Sequence, residues 1–225
     1  MTYDFTSTDL GPEITISPEV PRHLDDMGGH EVLVIGDPEG YADFNHLQGD
    51  NPYGYKGTCG LVSCQDVLGQ FGVDVTETDV VGYAIENGLC NSEGNEGDRG
   101  GTSVLQQAEI LNDYGVPAHA ETNGTLESLA ANVEQGHGVI MEANAGVLWQ
   151  DATYYDQGQP NHAVVVTGVV RDANSGEIQG FYINDSGTGK SAQFIDANTM
   201  HTAWEEAGGA SVVTDASHTS YPTQQ

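Results

Sequence analysis

The sequence predicts an α+β fold in which a helical half comes before a half built of strands. Capping residues and helical periodicity are concentrated between residues 58 and 135, whereas short apolar runs separated by Gly, Asn and Asp clusters follow residue 138. Helices that precede strands, instead of alternating with them, indicate α+β. A length of 225 residues is enough to bury the core of one full-sized domain.

The first strand and helix are predicted near the start of this domain. The run Glu31–Ile35 is apolar and predicts a strand. Residues 36–58, rich in Gly, Asp, Asn and Pro, predict a loop. Thr58 is expected to cap a helix over about residues 59–71, whose apolar side chains recur on one stripe, and Gly72 ends it.

Three more helices are expected in the first half, each opened by a threonine. The pair Thr76 and Asp79 has the spacing of a capping box. The expected ranges run from Thr76 to about Asn87, from Thr102 to Tyr114, and from Thr125 to about Gln135.

The second half predicts three strands and a last helix. The strands are expected at Val139–Met141, His162–Val170 and Phe181–Ile183. The continuous apolar run Ala163–Val166 is typical of a strand covered on both faces. Asp196–Ala207 predicts the helix.

The folded domain is expected at residues 31–212, and the segments before and after it are expected to be irregular. Residues 1–30 carry three prolines and no sustained periodicity, which predicts an irregular arm. Residues 213–225 are polar and predict a flexible tail. The first eleven residues lack a basic region followed by an apolar block, so no secretory signal is expected there, and export would need another route or a larger parent chain.

The charge of the chain is strongly acidic. Thirty-four Asp and Glu stand against 5 Lys and Arg, which gives a formal net charge of −29. Such a surface repels phosphate backbones and anionic lipid, so neither nucleic acid nor a membrane is expected as a direct ligand. A basic protein partner or a salty or extracellular environment fits this charge better.

Cys59 is the candidate nucleophile among three cysteines. The count and spacing of Cys59, Cys64 and Cys90 predict neither a disulfide framework nor a metal site. Cys59 is expected at the start of a helix, where free N–H groups and the helix dipole favour a thiolate. Cys64 lies on the apolar stripe and is expected to be a core thiol. The alternative is that Cys59 is only a small buried hydrophobe.

His162 and Asp185 are the candidate partners of that thiol. His162 opens the most apolar strand, where it can be held rigidly and directed across a cleft. Asp185 ends the next strand, so in an antiparallel pair it would lie near His162 and orient the imidazole. Asn184 could serve instead, but strand alternation turns it to the opposite face. The alternatives are a satisfied edge histidine and an ordinary turn aspartate.

Together these residues resemble the papain-like cysteine peptidases, in particular the bacterial peptidases that process double-glycine leaders. The matches are the Cys-Gly pair at the first core helix, the strand in NHAVVVTG and the acid-ended strand in FYINDSG, and they span roughly residues 45–205. The resemblance implies a single domain of two lobes with an antiparallel sheet in its second half. It also implies Cys59 as nucleophile, His162 as general base, Asp185 as orienting residue, and no cofactor.

The chain departs from that family at the glutamine that stabilises the oxyanion. In the family this glutamine lies about six residues before the nucleophile, but this chain has Tyr53 at that position. Gln48 is the nearest upstream candidate, and a longer loop over Asp50–Gly57 would bring it to the same position. The Cys59 N–H would be the second donor. A hydroxyl donor at Tyr53 and an ordinary loop glutamine at Gln48 are the alternatives.

The resemblance implies a cysteine peptidase that cleaves a protein or peptide through an acyl-enzyme. The resemblance also extends to the toxin domains of large secreted bacterial proteins. It therefore implies secretion or delivery into a target cell, with a dedicated immunity protein as partner. The alternative localisation is cytoplasmic. Two other functions stay open. A glutamine deamidase or acyltransferase shares the acyl-enzyme, and an acidic binding protein of the immunity or inhibitor type would have a structural Cys59.

Overall fold

Antiparallel strands form one sheet in the computed structural model, which describes residues 14–218. The strands are β1 (Arg22–Asp26), β2 (Glu31–Gly36), β3 (Ala118–Glu121), β4 (His137–Ala143), β5 (His162–Asp172), β6 (Ile178–Asp185), β7 (Lys190–Asp196) and β8 (Ser211–Ser217). The α-helices are α1 (Cys59–Gln70), α2 (Glu77–Asn87), α3 (Val104–Asp113), α4 (Leu126–Glu134), α5 (Ala145–Leu148) and α6 (Ala197–Met200). The predicted α+β class, with helices first and an antiparallel sheet after them, is confirmed.

Strand β5 is the centre of the sheet. It pairs with β4 near its start, with β2 near its end and with β6 along its other edge. The remaining strands extend these three: β1 pairs with β2, β8 and then β3 follow β4, and β7 pairs with β6. Every residue of β5 except Asp172 is buried. The side chain that opens this strand, His162, therefore starts from a rigidly packed backbone.

Helices cover both faces of the sheet and create two cores. On one face α1 and α3 pack against the sheet and α2 packs against α1, with Leu61, Ile110 and Val165 in a shared cluster. On the other face α4 and α6 enclose a cluster that includes Phe181 and Trp204. None of the helices within residues 14–218 combines the length and the apolar character that crossing a bilayer requires.

Local capping accounts for the helix starts that the sequence predicted best. The Thr76 hydroxyl accepts from the Asp79 N–H and the Asp79 carboxylate accepts from the Thr76 N–H, which completes the capping box of α2. Gly88 ends that helix in the left-handed region at φ 69°. Thr125 caps α4 in the same way, with Ser128 as its partner. These predictions are confirmed.

Two of the predicted caps are wrong. Ser103, and not Thr102, caps α3 in a capping box with Gln106. Thr58 occupies the N-cap position of α1, but its hydroxyl donates to Glu77 Oε1 at 2.7 Å instead of capping its own helix. Its backbone, at ψ 19°, does not have the extended geometry of the other caps.

The predicted ends of the domain also need correction. The irregular arm predicted for residues 1–30 contains β1, and the tail predicted for residues 213–225 contains most of β8. β1 is a polar edge strand that pairs with β2, so it lacks the apolar alternation by which strands are recognised. β8 is held by main-chain pairing with β3 and β4. The parts of both predictions at residues 1–13 and 219–225 lie outside the described residues.

Two differences remain in the last third of the chain. β7 follows β6 as a partly buried hairpin partner and was not predicted, because its pattern of apolar residues is weak. The helix predicted over Asp196–Ala207 begins as α6, capped by the Asp196 carboxylate, and continues as a π-helical turn at His201–Glu205.

Candidate active site

A cleft of about 760 Å³ lies where α1 and β5 both begin. Cys59 and His162 line it, and so does Gln48 from the loop before α1. Asp185 lies behind His162 and is completely buried. The structure thus brings all four predicted site residues to one place.

The His162 imidazole is held by a buried carboxylate. Because β5 and β6 are antiparallel neighbours, the start of one lies beside the end of the other. His162 Nε2 is 2.7 Å from Asp185 Oδ1. The Gly187 N–H donates to the same oxygen at 2.9 Å, and Trp149 Nε1 donates to Oδ2 at 2.7 Å. Both carboxylate oxygens are occupied, so the orientation of the carboxylate is fixed.

The electrostatics of this pair favour its charged form. Burial alone lowers the pKa of His162, but the hydrogen bond with Asp185 and the interaction with Cys59 raise that pKa to about 10. Burial raises the pKa of Asp185, yet the contacts with His162, Trp149 and Gly187 bring it below its usual range. At neutral pH the imidazole can therefore hold a proton beside an ionised carboxylate.

Cys59 is placed to exchange that proton. It is the first residue of α1, is partly exposed and lines the cleft. Since Nε2 of His162 is engaged by Asp185, Nδ1 is the ring nitrogen left for the thiol. The N–H groups of the first helical turn, including that of Cys59, have no partner within the helix. A thiol, an imidazole and unpaired amide donors are the groups needed for attack on a carbonyl.

The two other cysteines are core residues. Cys64 is fully buried on the apolar side of α1, with Sγ 3.7 Å from the Gln107 carbonyl oxygen. Burial raises the pKa of Cys64 and of Cys90. Neither residue lines the cleft.

Asn184 points away from the imidazole, as strand alternation predicts. Its Nδ2 donates to Asp66 Oδ2 at 2.8 Å and to the Tyr41 carbonyl oxygen at 2.9 Å. It ties β6 to α1 on the opposite face of the sheet. Asp185, and not Asn184, contacts His162.

Gln48 and its competitor Tyr53 lie in different places. The Gln48 N–H donates to the Ser186 carbonyl at 2.9 Å, and Gln48 Nε2 donates to the Lys56 carbonyl at 2.7 Å. The first bond fixes the backbone of Gln48, and the second holds its side chain at the wall of the cleft. Tyr53 is 43 % exposed, and its hydroxyl lies against Gly82 of α2, outside the lining of the cleft.

Glu77, which the sequence did not single out, organises the loop between Gln48 and Cys59. Its carboxylate is buried and accepts five hydrogen bonds, four from this loop and one from His46 just before it. Oε1 accepts from Gly49 N–H at 2.9 Å, Asn51 Nδ2 at 3.0 Å and Thr58 Oγ1 at 2.7 Å, and Oε2 accepts from Asp50 N–H at 2.9 Å and His46 Nε2 at 3.0 Å. Burial opposes ionisation, but these donors lower the pKa of Glu77 to about 2.

Trp149 is a second residue that the sequence did not reveal. Its ring packs on the His162 imidazole with centroids 5.1 Å apart, in addition to its bond with Asp185. Gly187 leaves room for this packing, because a Cβ there would be 2.6 Å from Trp149 Cζ2 and 2.9 Å from His162 Cε1. Trp149 comes before a polar loop, and nothing local in the sequence points to this contact.

Glu142 is a third such residue, an acidic side chain at the end of the apolar strand β4 that lines the same cleft. A single charge in an apolar run is the signal that could have drawn attention to it.

Across residues 14–218, no group of three or more His, Cys, Asp and Glu side chains is arranged to hold a metal ion.

Comparisons with known proteins identify the family of the chain and a similar fold. A family model described as "Peptidase_C39 like family" matches residues 41–212. A crystal structure described as that of a C39-like peptidase from Bacillus anthracis has a TM-score of 0.51 and 16 % sequence identity, over 76 % of this chain and 98 % of that chain. At this identity the second likeness concerns the fold alone. No curated protein sequence matches the chain.

Thiol labelling tests the different environments of the cysteines. With limiting iodoacetamide at pH 7, Cys59 should be alkylated well before Cys64 and Cys90, because it alone among them lines the cleft. Peptide mass spectrometry of the native protein gives the order, and the protein in urea, where all three thiols are accessible, is the control. Faster alkylation of Cys64 in the native protein would contradict this assignment.

Replacement of Glu77 tests the loop anchor. Its pKa in the folded protein, about 2, lies below the ordinary 4.5, so its stabilisation is present above pH 4.5 and is lost as the pH falls towards 2. Glu77→Gln should lower the free energy of unfolding at pH 7 by about 2 kcal/mol, because an amide nitrogen would then face hydrogen-bond donors.

Urea denaturation at several pH values is the measurement. Glu77→Gln should also lose less stability than the parent protein between pH 4.5 and 2. Glu86→Gln, an exposed position in the same helix, is the matched control and should behave like the parent. Equal stability of Glu77→Gln and the parent at pH 7 would refute the role of the anchor.

Proposed function

This chain belongs to the Peptidase_C39-like family, and on that premise we propose that it is a cysteine peptidase that cleaves a protein or peptide through an acyl-enzyme on Cys59. The observation that supports this most is the buried 2.7 Å contact between His162 and Asp185 behind a partly exposed helix-start thiol. A structural cysteine would not need an oriented, protonatable imidazole beside it.

In the proposed reaction the Cys59 sulfur, deprotonated by His162, attacks the carbonyl carbon of the scissile bond. The carbonyl π electrons move to oxygen and form an oxyanion. His162 then donates its proton to the leaving amine as the C–N bond breaks, which leaves a thioester. Water, deprotonated by His162, attacks the thioester, and the carboxylic acid product leaves with the thiol restored. Asp185 keeps the imidazole in place and stabilises its positive charge.

The oxyanion would be bound by the Cys59 N–H and by Gln48. An amide nitrogen has two N–H donors, and the Lys56 carbonyl uses one of those on Gln48. The second is available for the developing charge. The loop anchored by Glu77 would hold this donor in place before the substrate arrives, which is the property that makes an oxyanion hole effective.

The biological setting stays a prediction of the sequence resemblance. That setting comprises secretion or delivery into a target cell, a toxin role and a dedicated immunity protein.

Kinetics of three variants test the catalytic roles. Cys59→Ala should lower activity by several orders of magnitude, since no other group can form the acyl-enzyme. Asp185→Asn should reduce turnover less than His162→Ala, because it disturbs the orientation of the base and leaves the base present. Activity is measured by mass spectrometry as new peptide termini in a digested peptide library. The control is Cys64→Ala, which should keep its activity and lose about 1 to 2 kcal/mol of stability.

The product in the same digest separates the alternatives. Full activity of His162→Ala would refute any hydrolase that uses this constellation. Ammonia release without new termini would replace the peptidase with a deamidase, and modification of an added amine would indicate an acyltransferase. A protein that forms none of these products would be a binding protein.

A comparison of Gln48→Ala with Tyr53→Phe tests the oxyanion hole. Gln48→Ala should lower kcat by roughly 10² to 10³ with little change in KM or folding, because the lost donor acts on the transition state. Tyr53→Phe should have a much smaller effect, since its hydroxyl lies against α2. If Tyr53→Phe proved the more damaging change, the assignment of Gln48 would be wrong.

A further inference from the structure

The carboxylate of Glu142 lies in the cleft on the α3 side of Cys59. On the sheet, Glu142 is opposite Ala163 and its neighbour Ala143 is opposite His162, so the carboxylate is carried by the strand next to the imidazole. Glu142 is partly exposed and lines the cleft with Cys59 and His162. Its position puts a negative charge beside the path of a bound substrate.

The side chain is held in this position from α3. Gln107 is buried, and its Nε2 donates to Glu142 Oε1 and to Thr102 Oγ1. Gly60, which follows the nucleophile, packs directly on this pair, because a Cβ there would be 2.1 Å from Thr102 Oγ1 and 2.6 Å from Gln107 Nε2. Gly60, next to Cys59, therefore packs against the same Gln107 side chain that holds the Glu142 carboxylate.

The second carboxylate oxygen has no protein donor. Within the described residues, Oε1 of Glu142 accepts from Gln107 Nε2, whereas no side-chain or main-chain donor bonds to Oε2, and the residue is partly exposed to the cleft. His162 is the charged group that acts on this carboxylate. The cationic side chain at the same cleft, Lys56, directs its ammonium to the Gly49 carbonyl. Oε2 is therefore open to the cleft, where a donor from a bound ligand could reach it.

Partial burial weakens the ionised form of Glu142. Burial raises the pKa of Glu142, and the bond from Gln107 and the charge of His162 offset only part of this effect. A cation bound at Oε2 would restore the ionised form through a charge-assisted hydrogen bond.

We propose that Glu142 forms a specificity subsite that binds a positively charged side chain, Arg or Lys, of the substrate next to the scissile bond. The proposal rests on the proposed peptidase function and adds the class of substrate to it. The net charge of −29 attracts basic peptides to the whole molecule. Glu142 adds a local selection, because its carboxylate lines the same cleft as Cys59.

Paired peptides test the subsite. A peptide that the protein cleaves is resynthesised with Arg, or with its neutral isostere citrulline, at each of the three positions before the scissile bond. At one position the parent protein should favour Arg at least about tenfold in kcat/KM. In Glu142→Gln, which keeps an oxygen for Gln107, this ratio should fall close to one.

The control variant separates the local from the overall charge. Glu96→Gln removes the same charge from an exposed residue next to Gly97 at the rim of the cleft, and it should keep the Arg preference. If the parent cleaves both peptides equally well at all three positions, or if Glu142→Gln keeps the preference, the subsite is wrong.

A second measurement does not require cleavage. Cys59 is treated with a cationic thiol reagent, 2-(trimethylammonium)ethyl methanethiosulfonate, and with neutral methyl methanethiosulfonate, and mass spectrometry gives the two rates. The cationic-to-neutral ratio should fall several-fold in Glu142→Gln and stay the same in Glu96→Gln. An unchanged ratio in Glu142→Gln overturns the subsite whatever the peptides show. A lower ratio without cleavage of any peptide supports the subsite and contradicts the peptidase function instead.

Discussion

The hydrogen bond between Asp185 and His162 is the contact on which the proposed chemistry of the cleft depends. It forms because two adjacent antiparallel strands, β5 and β6, bring the start of one beside the end of the other. The carboxylate is buried, and donors from Trp149 and Gly187 complete its coordination. Removing either donor would leave part of a buried charge unpaired. Because these donors hold the carboxylate in place, His162 at the start of β5 keeps one ring orientation.

The other half of the cleft depends on a second buried carboxylate. Glu77 gathers the loop before α1 through five donors and takes over the Thr58 hydroxyl, which would otherwise cap the helix. The same loop carries Gln48 to the wall of the cleft. One carboxylate thus orients the His162 imidazole from the sheet, and the other holds the loop that carries Gln48 and leads into Cys59.

Sequence patterns predicted what is decided locally. The capping boxes of α2 and α4 involve residues three apart, and the proximity of His162 and Asp185 follows from two recognisable strands. Contacts between distant segments escaped prediction. Glu77 meets a loop about 20 to 30 residues earlier, Glu142 is held from α3, and β1 is a strand only because β2 offers it an edge. No local pattern contains that information.

Covalent capture by a peptidyl vinyl sulfone tests the central claim most directly, because the reagent needs both an activated thiol and a cleft that accepts a peptide. Peptide mass spectrometry of the native protein should find the adduct on Cys59 and on neither Cys64 nor Cys90. Its rate of formation should fall by orders of magnitude in His162→Ala. An adduct on another cysteine, no adduct at all, or a rate that is unchanged in His162→Ala would contradict the account.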